Sequence, residues 1–356
     1  MAKCCMIFVI IAAFAAGIGV KLFQDKGDGL PGLFKAFFIW ECQGQYGKAT
    51  AEDIVSGHSF AGKVSIVTGA NTGLGKETSR VMAKAGGHVI MACRSLKRCN
   101  SAKADIETGA GTLETMEMDL NSLKSVSTFV DAFLAKGLPL HYLINNAGIM
   151  ALPKYETTAD GVEKQWGVNH LGHFHLTTKL LEKLKASAPS RIVILSSQAH
   201  FMGTQYLPLT AAEYDGAVAY GTSKVSNIMF SLELRKRLKG TGVLTAAGHP
   251  GIIATELARY DSASQAMYDH VWPALDKYFG TTIEKNIPQG TSTTMCMVLH
   301  DLPDGSDDAT ITDRLYFSDC LDASKYPKRM WKKFALNVTA AADLWAKSED
   351  LISKLA

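Results

Sequence analysis

The sequence predicts an α/β fold, a doubly wound parallel sheet in a single domain that follows an N-terminal hydrophobic anchor. Three observations carry this. Apolar strand-length runs alternate with helical periodicities from Val64 onward, which is the order of a parallel sheet covered on both faces. A glycine-rich turn, Gly69 to Gly75, follows the first of these runs and opens a helix. The chain has 356 residues and 47% hydrophobic content, enough to bury a full core in one domain.

The elements follow in order. Val64–Thr68 reads as a strand, Gly73–Ala85 as a helix and His88–Cys93 as a strand. Leu113–Met118 is a strand, Leu123–Leu134 a helix and Leu140–Asn145 a strand. A long helix is expected over about Gly161–Ser187, then a strand at Arg191–Ser196, a helix at Ala219–Lys239 and a strand at Val243–Ala247. Gly290–His300 reads as a helix, Arg314–Phe317 as a last edge strand and Val338–Leu355 as a terminal amphipathic helix. In such a sheet, ligands sit beyond the carboxyl ends of the strands, where every candidate residue below falls.

The N-terminus is different. Cys4 to Val20 is an unbroken run of apolar or small residues. At ~1.5 Å per residue it reaches about 25 Å, the short end of a membrane span. A cleaved signal peptide and an uncleaved anchor both fit, and length favours the anchor. Lys21, Lys26 and Lys35 follow the run and only Lys3 precedes it, which leaves the folded domain on the cytosolic side. The expected division is therefore an anchor or signal over 1–24, a linker over 25–61 and the folded domain over 62–356. Within the linker, Leu30 to Trp40 is an apolar patch too short to span, read either as a packed helix or as an interfacial segment.

Charge and cysteine usage exclude other classes. The formal net charge is +3, with Lys and Arg scattered, so no basic stripe for nucleic acid exists. Seven dispersed cysteines show neither metal-ligand spacing nor a disulfide framework, which predicts a reducing compartment and no metal. Asn337-Val338-Thr339 fits a glycosylation acceptor, but chance is the better explanation on a cytosolic domain.

The turn Gly69, Asn71, Thr72, Gly73, Leu74 and Gly75 presents backbone N–H groups and a helix N-terminus to a pyrophosphate. After the second strand a dinucleotide site that reads ribose hydroxyls places Asp or Glu. This chain offers Arg94, with Lys97 and Arg98 nearby, which suits a 2′-phosphate and favours NADP(H). Asp119 and Leu120, after the third strand, are placed for the adenine. Asn146, Ala147 and Gly148, after the fourth, are placed for the sugars. A solvated arginine and a plain turn are the bland readings of Arg94 and of the asparagines.

Tyr220 and Lys224 are i and i+4 on a predicted helix and share a face. An ammonium nearby favours the phenolate, which an isolated tyrosine reaches only near pH ~10. Ser197 ends the fifth strand and can donate to a substrate oxygen as charge develops. Asn169 lies within the long helix, where its amide is expected to hold a water linking Lys224 to solvent. Order and spacing of the set point to a hydride-transfer site.

With these residues the chain resembles the short-chain dehydrogenase/reductase superfamily, of Rossmann type, over roughly Gly62 to Leu351. Its likeness is greatest to the membrane-associated retinol dehydrogenases. Thr68–Thr78, Ala92-Cys93-Arg94, Leu143–Met150, Val168–Phe174, Glu182–Ile192, His249-Pro250-Gly251 and Tyr316–Cys320 carry it. The resemblance implies that Tyr220 is the acid/base, that Lys224 lowers its pKa and binds ribose, and that Ser197 orients the carbonyl. Asn169 completes the tetrad, and Pro250, Gly251 and Thr255 hold the nicotinamide end. It implies an endoplasmic reticulum membrane with a cytosolic catalytic domain. Thr50–Gly62 is similar to a plant-type branch that includes a plastid-envelope protein associated with the import translocon, which makes the plastid envelope the alternative. Homo-oligomers through the long helices are common in the superfamily.

Leu257, Tyr260, Met267, Tyr268, Val271, Trp272, Leu275, Tyr278 and Phe279 follow Thr255, where this fold covers its substrate. The surplus of aromatics suits a hydrophobic aldehyde, ketone or alcohol, such as a retinoid, a lipid aldehyde or a sterol-like ketone. Two alternatives are carried. One is a dinucleotide-binding regulatory or translocon-associated module with little turnover, for which Lys325–Lys333 is a candidate partner segment. The other is a protochlorophyllide-reductase-like enzyme, against which Ser226 stands where that branch carries cysteine.

Overall fold

The computed structural model describes residues 49–253, 257, 284–305, 310–318, 320–323 and 334–355. The anchor over 1–24, the patch Leu30 to Trp40, Thr255, the aromatic face after it (Leu257 excepted) and Lys325–Lys333 lie outside the described residues. No helix among the described residues is long and apolar enough to cross a membrane.

An eight-stranded sheet forms the centre. Its strands are β1 (Val64–Thr68), β2 (His88–Cys93), β3 (Thr112–Glu117), β4 (Tyr142–Asn145), β5 (Ser190–Leu195), β6 (Val243–His249), β9 (Tyr316–Ser318) and β10 (Leu321–Asp322). β7 (Ile252–Ile253) and β8 (Glu284–Lys285) pair separately. The order is β10-β9-β6-β5-β4-β1-β2-β3, parallel except for β10. The chain thus leaves β1 toward one edge and returns beside β1 at β4. The crevice at that reversal is where a ligand fits.

Successive side chains of each strand serve opposite faces. Val89, Met91 and Cys93 of β2 join one core, and Ile90 and Ala92 join the other. The first core lies under α1 (Ala51–Val55), α2 (Gly73–Lys84), α3 (Leu96–Ala104) and α7 (Ile287–Leu299). The second lies under α4 (Leu123–Ala135), α5 (Gly172–Ala186), α6 (Gly216–Arg237) and α8 (Val338–Leu355). Because both faces are covered, inner strands such as β1 are buried throughout. α8 closes the second core through Trp345, whose ring meets Phe174 at 4.8 Å, while the Arg237 guanidinium lies 4.2 Å from its centre.

Four expectations change here. The expected helix over Gly161–Ser187 begins later, because Gly161 sits at φ +82 in a turn. Its first turns, Lys164–Trp166 and then a π-helical turn Gly167–Leu171, precede α5. Glu163 caps them, accepting from Gln165 N and Trp166 N, and its burial raises the carboxyl pKa. The expected strand at Arg314 starts at Tyr316, since Arg314 is at φ +49. β7, β8, β10, α1 and α3 were not anticipated.

The fourth concerns cysteine. Cys93–Cys99 and Cys296–Cys320 stand at 2.08 and 2.05 Å between sulfurs. The expectation of no disulfides is overturned, and the dispersal of cysteines no longer supports a reducing compartment. Sequence spacing missed both pairs because the fold brings them together: β2 to α3, and α7 to the turn before β10.

Candidate active site at the carboxyl ends of the strands

A cavity of about 400 Å³ crosses the carboxyl ends of β3, β2, β1 and β4. Gly69, Asn71, Thr72, Gly73 and Leu74 form its floor. Arg94, Asp119 and Leu120 line it on the β2 and β3 side, and Asn146, Ala147 and Gly148 on the β4 side. Eleven of the expected cofactor residues therefore meet in one cavity. Gly75, Tyr220, Lys224, Pro250 and Gly251 are not among its lining residues, nor are Ser197 and Asn169.

The floor is shaped by backbone contact. Gly69 is at φ +66, and a Cβ there would stand 3.0 Å from Ala147. A Cβ on Gly75 would stand 2.5 Å from both Asn146 Nδ2 and the Gly69 carbonyl oxygen. Gly75 thus lets α2 approach the β4 turn from behind rather than lining the cavity. Gly75→Ala is expected to lower stability by about 1–3 kcal/mol through overpacking, checked by denaturant unfolding. Thr72, the residue ahead of α2, makes no side-chain hydrogen bond to the helix's first N–H groups. Those donors remain for an anion.

Sequence reasoning missed Ser95, Ile149, Leu152, Pro153 and Val168 in the wall, whereas Arg98 and Leu257 were among the residues it named. Ser95 and Arg98 join Arg94 at the end of β2, and Ser95 accepts from Arg98 N as the cap of α3. Ile149, Leu152, Pro153, Val168 and Leu257 extend the cavity beyond Gly148 as an apolar wall. The apolar run Ile149–Pro153, directly after the β4 turn, was the available signal.

Tyr220 and Lys224 lie in α6, which Asp215 starts by accepting from Ala217 N and Val218 N. The helix is buried from Val218 to Arg235, as one packed between a sheet and α8 must be. Both side chains are buried, and the Lys224 ammonium is 5.5 Å from the centre of the Tyr220 ring. Lys224 Nζ donates to the Leu195 carbonyl at 3.1 Å, and Ser196 Oγ donates to the Lys224 carbonyl at 2.7 Å. These bonds pin the end of β5, and with it half-buried Ser197, against α6. A Cβ on Gly221 would sit 2.6 Å from the Ala199 carbonyl oxygen and from Gly203 N, so the segment after Ser197 runs backbone to backbone on α6 beside Tyr220. A Cβ on Gly148 would come within 3.6 Å of Lys224 Nζ and 3.3 Å of Asn169 Oδ1. Lys224 and Asn169 thus flank the β4 turn, with Tyr220 beside Lys224 and Ser197 at the neighbouring end of β5.

Asn169 is held by three bonds. Its Oδ1 accepts from Ile149 N, and its Nδ2 donates to the Ile149 carbonyl and to Ser223 Oγ. Both amide protons are spent inside the protein, so the side chain braces the turn after β4. Among the described residues no cluster of His, Cys, Asp and Glu could hold a metal ion.

Burial pushes Lys224 down to about 8. An ammonium kept there at neutral pH costs stability, which a hydrophobic replacement removes. Lys224→Met is expected to raise the thermal midpoint of the dinucleotide-free protein by a few degrees while turnover is lost. Scanning calorimetry beside an activity assay checks this. Burial also pushes His170 to about 3 and His173 to about 4. In the unfolded chain each titrates near pH ~6.5, so between pH ~6.5 and ~4 the unfolded state binds more protons. Stability is full above the unfolded pKa and is lost as pH falls toward the folded values. The slope reaches roughly 2–3 kcal/mol per pH unit from the pair. Urea unfolding at pH 7.5 and pH 5 measures it.

Residues 63–266 match the short chain dehydrogenase family. The chain is 41% identical over 297 residues to Retinol dehydrogenase 12 of Mus musculus, spanning 82% of this chain and 86% of that protein. It is 42% identical over 296 residues to Retinol dehydrogenase 11 of Homo sapiens, with the same shares of 82% and 86%. Among solved structures, an uncharacterised protein of Mycobacterium paratuberculosis matches with a TM-score of 0.60 at 32% identity, covering 85% of this chain and 97% of that one.

Proposed function

Because the chain belongs to the short-chain dehydrogenase family, in its retinol dehydrogenase-like branch, we propose that it transfers hydride between NADP(H) and a hydrophobic alcohol or carbonyl of retinoid type. The observation that carries this is the buried Tyr220–Lys224 pair, whose ammonium lies behind cavity-lining Gly148, together with a helix start on the cavity floor that the Thr72 side chain does not cap. The glycine cradle, which a Cβ would fill, fits a dinucleotide.

When bound, a dinucleotide would supply the hydride to the carbonyl carbon in reduction and take it up in oxidation. The chain does the rest. The N-terminal turn of α2 would face the pyrophosphate, and Arg94 with Arg98 would hold the 2′-phosphate. Asp119 would take the adenine edge, while its Oδ1 keeps the loop in place by accepting from Asn121 N. Lys224 and the Asn146–Gly148 turn would hold the nicotinamide ribose. Tyr220 donates its phenolic proton to the oxygen of a carbonyl under reduction, or accepts one from an alcohol under oxidation. Lys224 stabilises the phenolate in between, and Ser197 donates to the same substrate oxygen. Ile149, Leu152, Pro153, Val168 and Leu257 offer an apolar surface for the substrate.

The apolar run Cys4 to Val20, with lysines after it, supports a domain held on the cytosolic side of a membrane, from which such a substrate would enter. An NADPH preference there favours reduction. The test is NADPH consumption by detergent-solubilised full chain with all-trans-retinal, a medium-chain aldehyde, a steroid ketone and a short polar ketone. Turnover of retinal above the others supports the reading. Turnover of the short polar ketone alone removes the hydrophobic substrate class.

A further inference from the structure

His173 is buried in α5, one turn beyond Asn169, and the chemistry above does not use it. Its Nδ1 lies 3.0 Å from the Asn169 carbonyl oxygen. A carbonyl only accepts, so Nδ1 carries the proton and Nε2 presents a lone pair. That lone pair faces Thr68 Oγ1 at 2.9 Å. Thr68 Oγ1 accepts from Asn146 N and from Ala147 N, each at 2.9 Å. Both of its lone pairs are then in use, and its own proton must leave in another direction. The Ile144 carbonyl is a longer partner at 3.4 Å, so His173 Nε2 takes the proton. Every polar atom of this buried set is satisfied only with the imidazole in that tautomer.

We propose that His173 is a positioning residue: it orients the Thr68 hydroxyl so that this clamps the Asn146-Ala147-Gly148 turn beside Lys224, and it thereby sets dinucleotide affinity. The proposal rests on reading the cavity as a dinucleotide site. The turn it holds is the one whose Gly148 lies against Asn169 Oδ1 and Lys224 Nζ, so a displacement there is felt at the nicotinamide ribose. The burial that keeps this imidazole neutral, assisted by the Lys224 charge, keeps Nε2 an acceptor at physiological pH.

The two nitrogens can be tested separately. In glutamine, Oε1 reaches the place of Nε2 and can accept from Thr68. In asparagine, the amide reaches the place of Nδ1 and keeps the bond to Asn169, but cannot reach Thr68. Leucine keeps neither. NADPH affinity of the full chain, read by fluorescence titration, is expected to fall about 10-fold in His173→Leu and in His173→Asn. It is expected to stay within about three-fold of wild type in His173→Gln. His173→Asn carries the test should the leucine variant not fold. An unchanged Kd in His173→Asn, or equal losses in the glutamine and asparagine variants, overturns the proposal and leaves His173 a packing residue. Failure of the wild type to bind either NADPH or NADH would instead overturn the dinucleotide reading beneath it.

Discussion

Tyr220→Phe is expected to lower kcat for retinal reduction about a thousand-fold while NADPH affinity changes less than about three-fold. The phenyl ring keeps the shape of the site and its 5.5 Å approach to the Lys224 ammonium. Only the phenolic proton is lost, and with it the group that follows the hydride onto the substrate oxygen. Lys224→Met is the complement. It is expected to lose turnover and to weaken NADPH binding as well, because Lys224 is assigned to the ribose in addition to the phenol. Single-turnover rates and fluorescence titrations on the three proteins separate the two roles. A phenylalanine variant that retained more than a tenth of the wild-type rate would remove Tyr220 from proton transfer.

The second large effect concerns the 2′-phosphate. Arg94→Asp is expected to lower kcat/KM with NADPH by about 100-fold or more, and to leave NADH equal or improved. Arg94 is exposed at the rim of the cavity, next to Ser95 and Arg98. Loss of a guanidinium together with introduction of a carboxylate converts attraction to repulsion at one position, and the carboxylate suits ribose hydroxyls. Parallel kcat/KM measurements with both dinucleotides at fixed ionic strength check it. Equal losses with NADPH and NADH would assign Arg94 to the scaffold rather than to the phosphate.

The sheet was legible because its strands are covered on both faces. Val64–Thr68 and His88–Cys93 needed no partner to be recognised, since a doubly buried strand is apolar at most positions instead of at every second one. The floor of the site was legible for a related reason. Glycines that follow a strand and open a helix admit few other purposes, and Gly69 and Gly73 both adopt positive φ. What the sequence could not show are the pairings made across distance. Cys296 meets Cys320 only after α7 and β9 are in place. Gly221 reads as an ordinary helix position until the segment after Ser197 is laid on it. Asn169 was rightly placed near Lys224, but its amide faces Ile149 and Ser223 because a π-helical turn, invisible to periodicity, carries it. His173 reads as one more apolar-face residue until Thr68 arrives from 105 residues away.

The central claim is hydride transfer from a dinucleotide in this cavity to a hydrophobic carbonyl. Its most direct test is incubation of the full chain with all-trans-retinal and NADPH deuterated at nicotinamide C4, one diastereomer at a time, followed by mass spectrometry of the retinol. One deuterium atom at the alcohol carbon from one diastereomer and none from the other, with no product in Tyr220→Phe, is the predicted result. Retinol without deuterium from either diastereomer, or no alcohol from retinal or from any other hydrophobic carbonyl despite measurable NADPH binding, would contradict it.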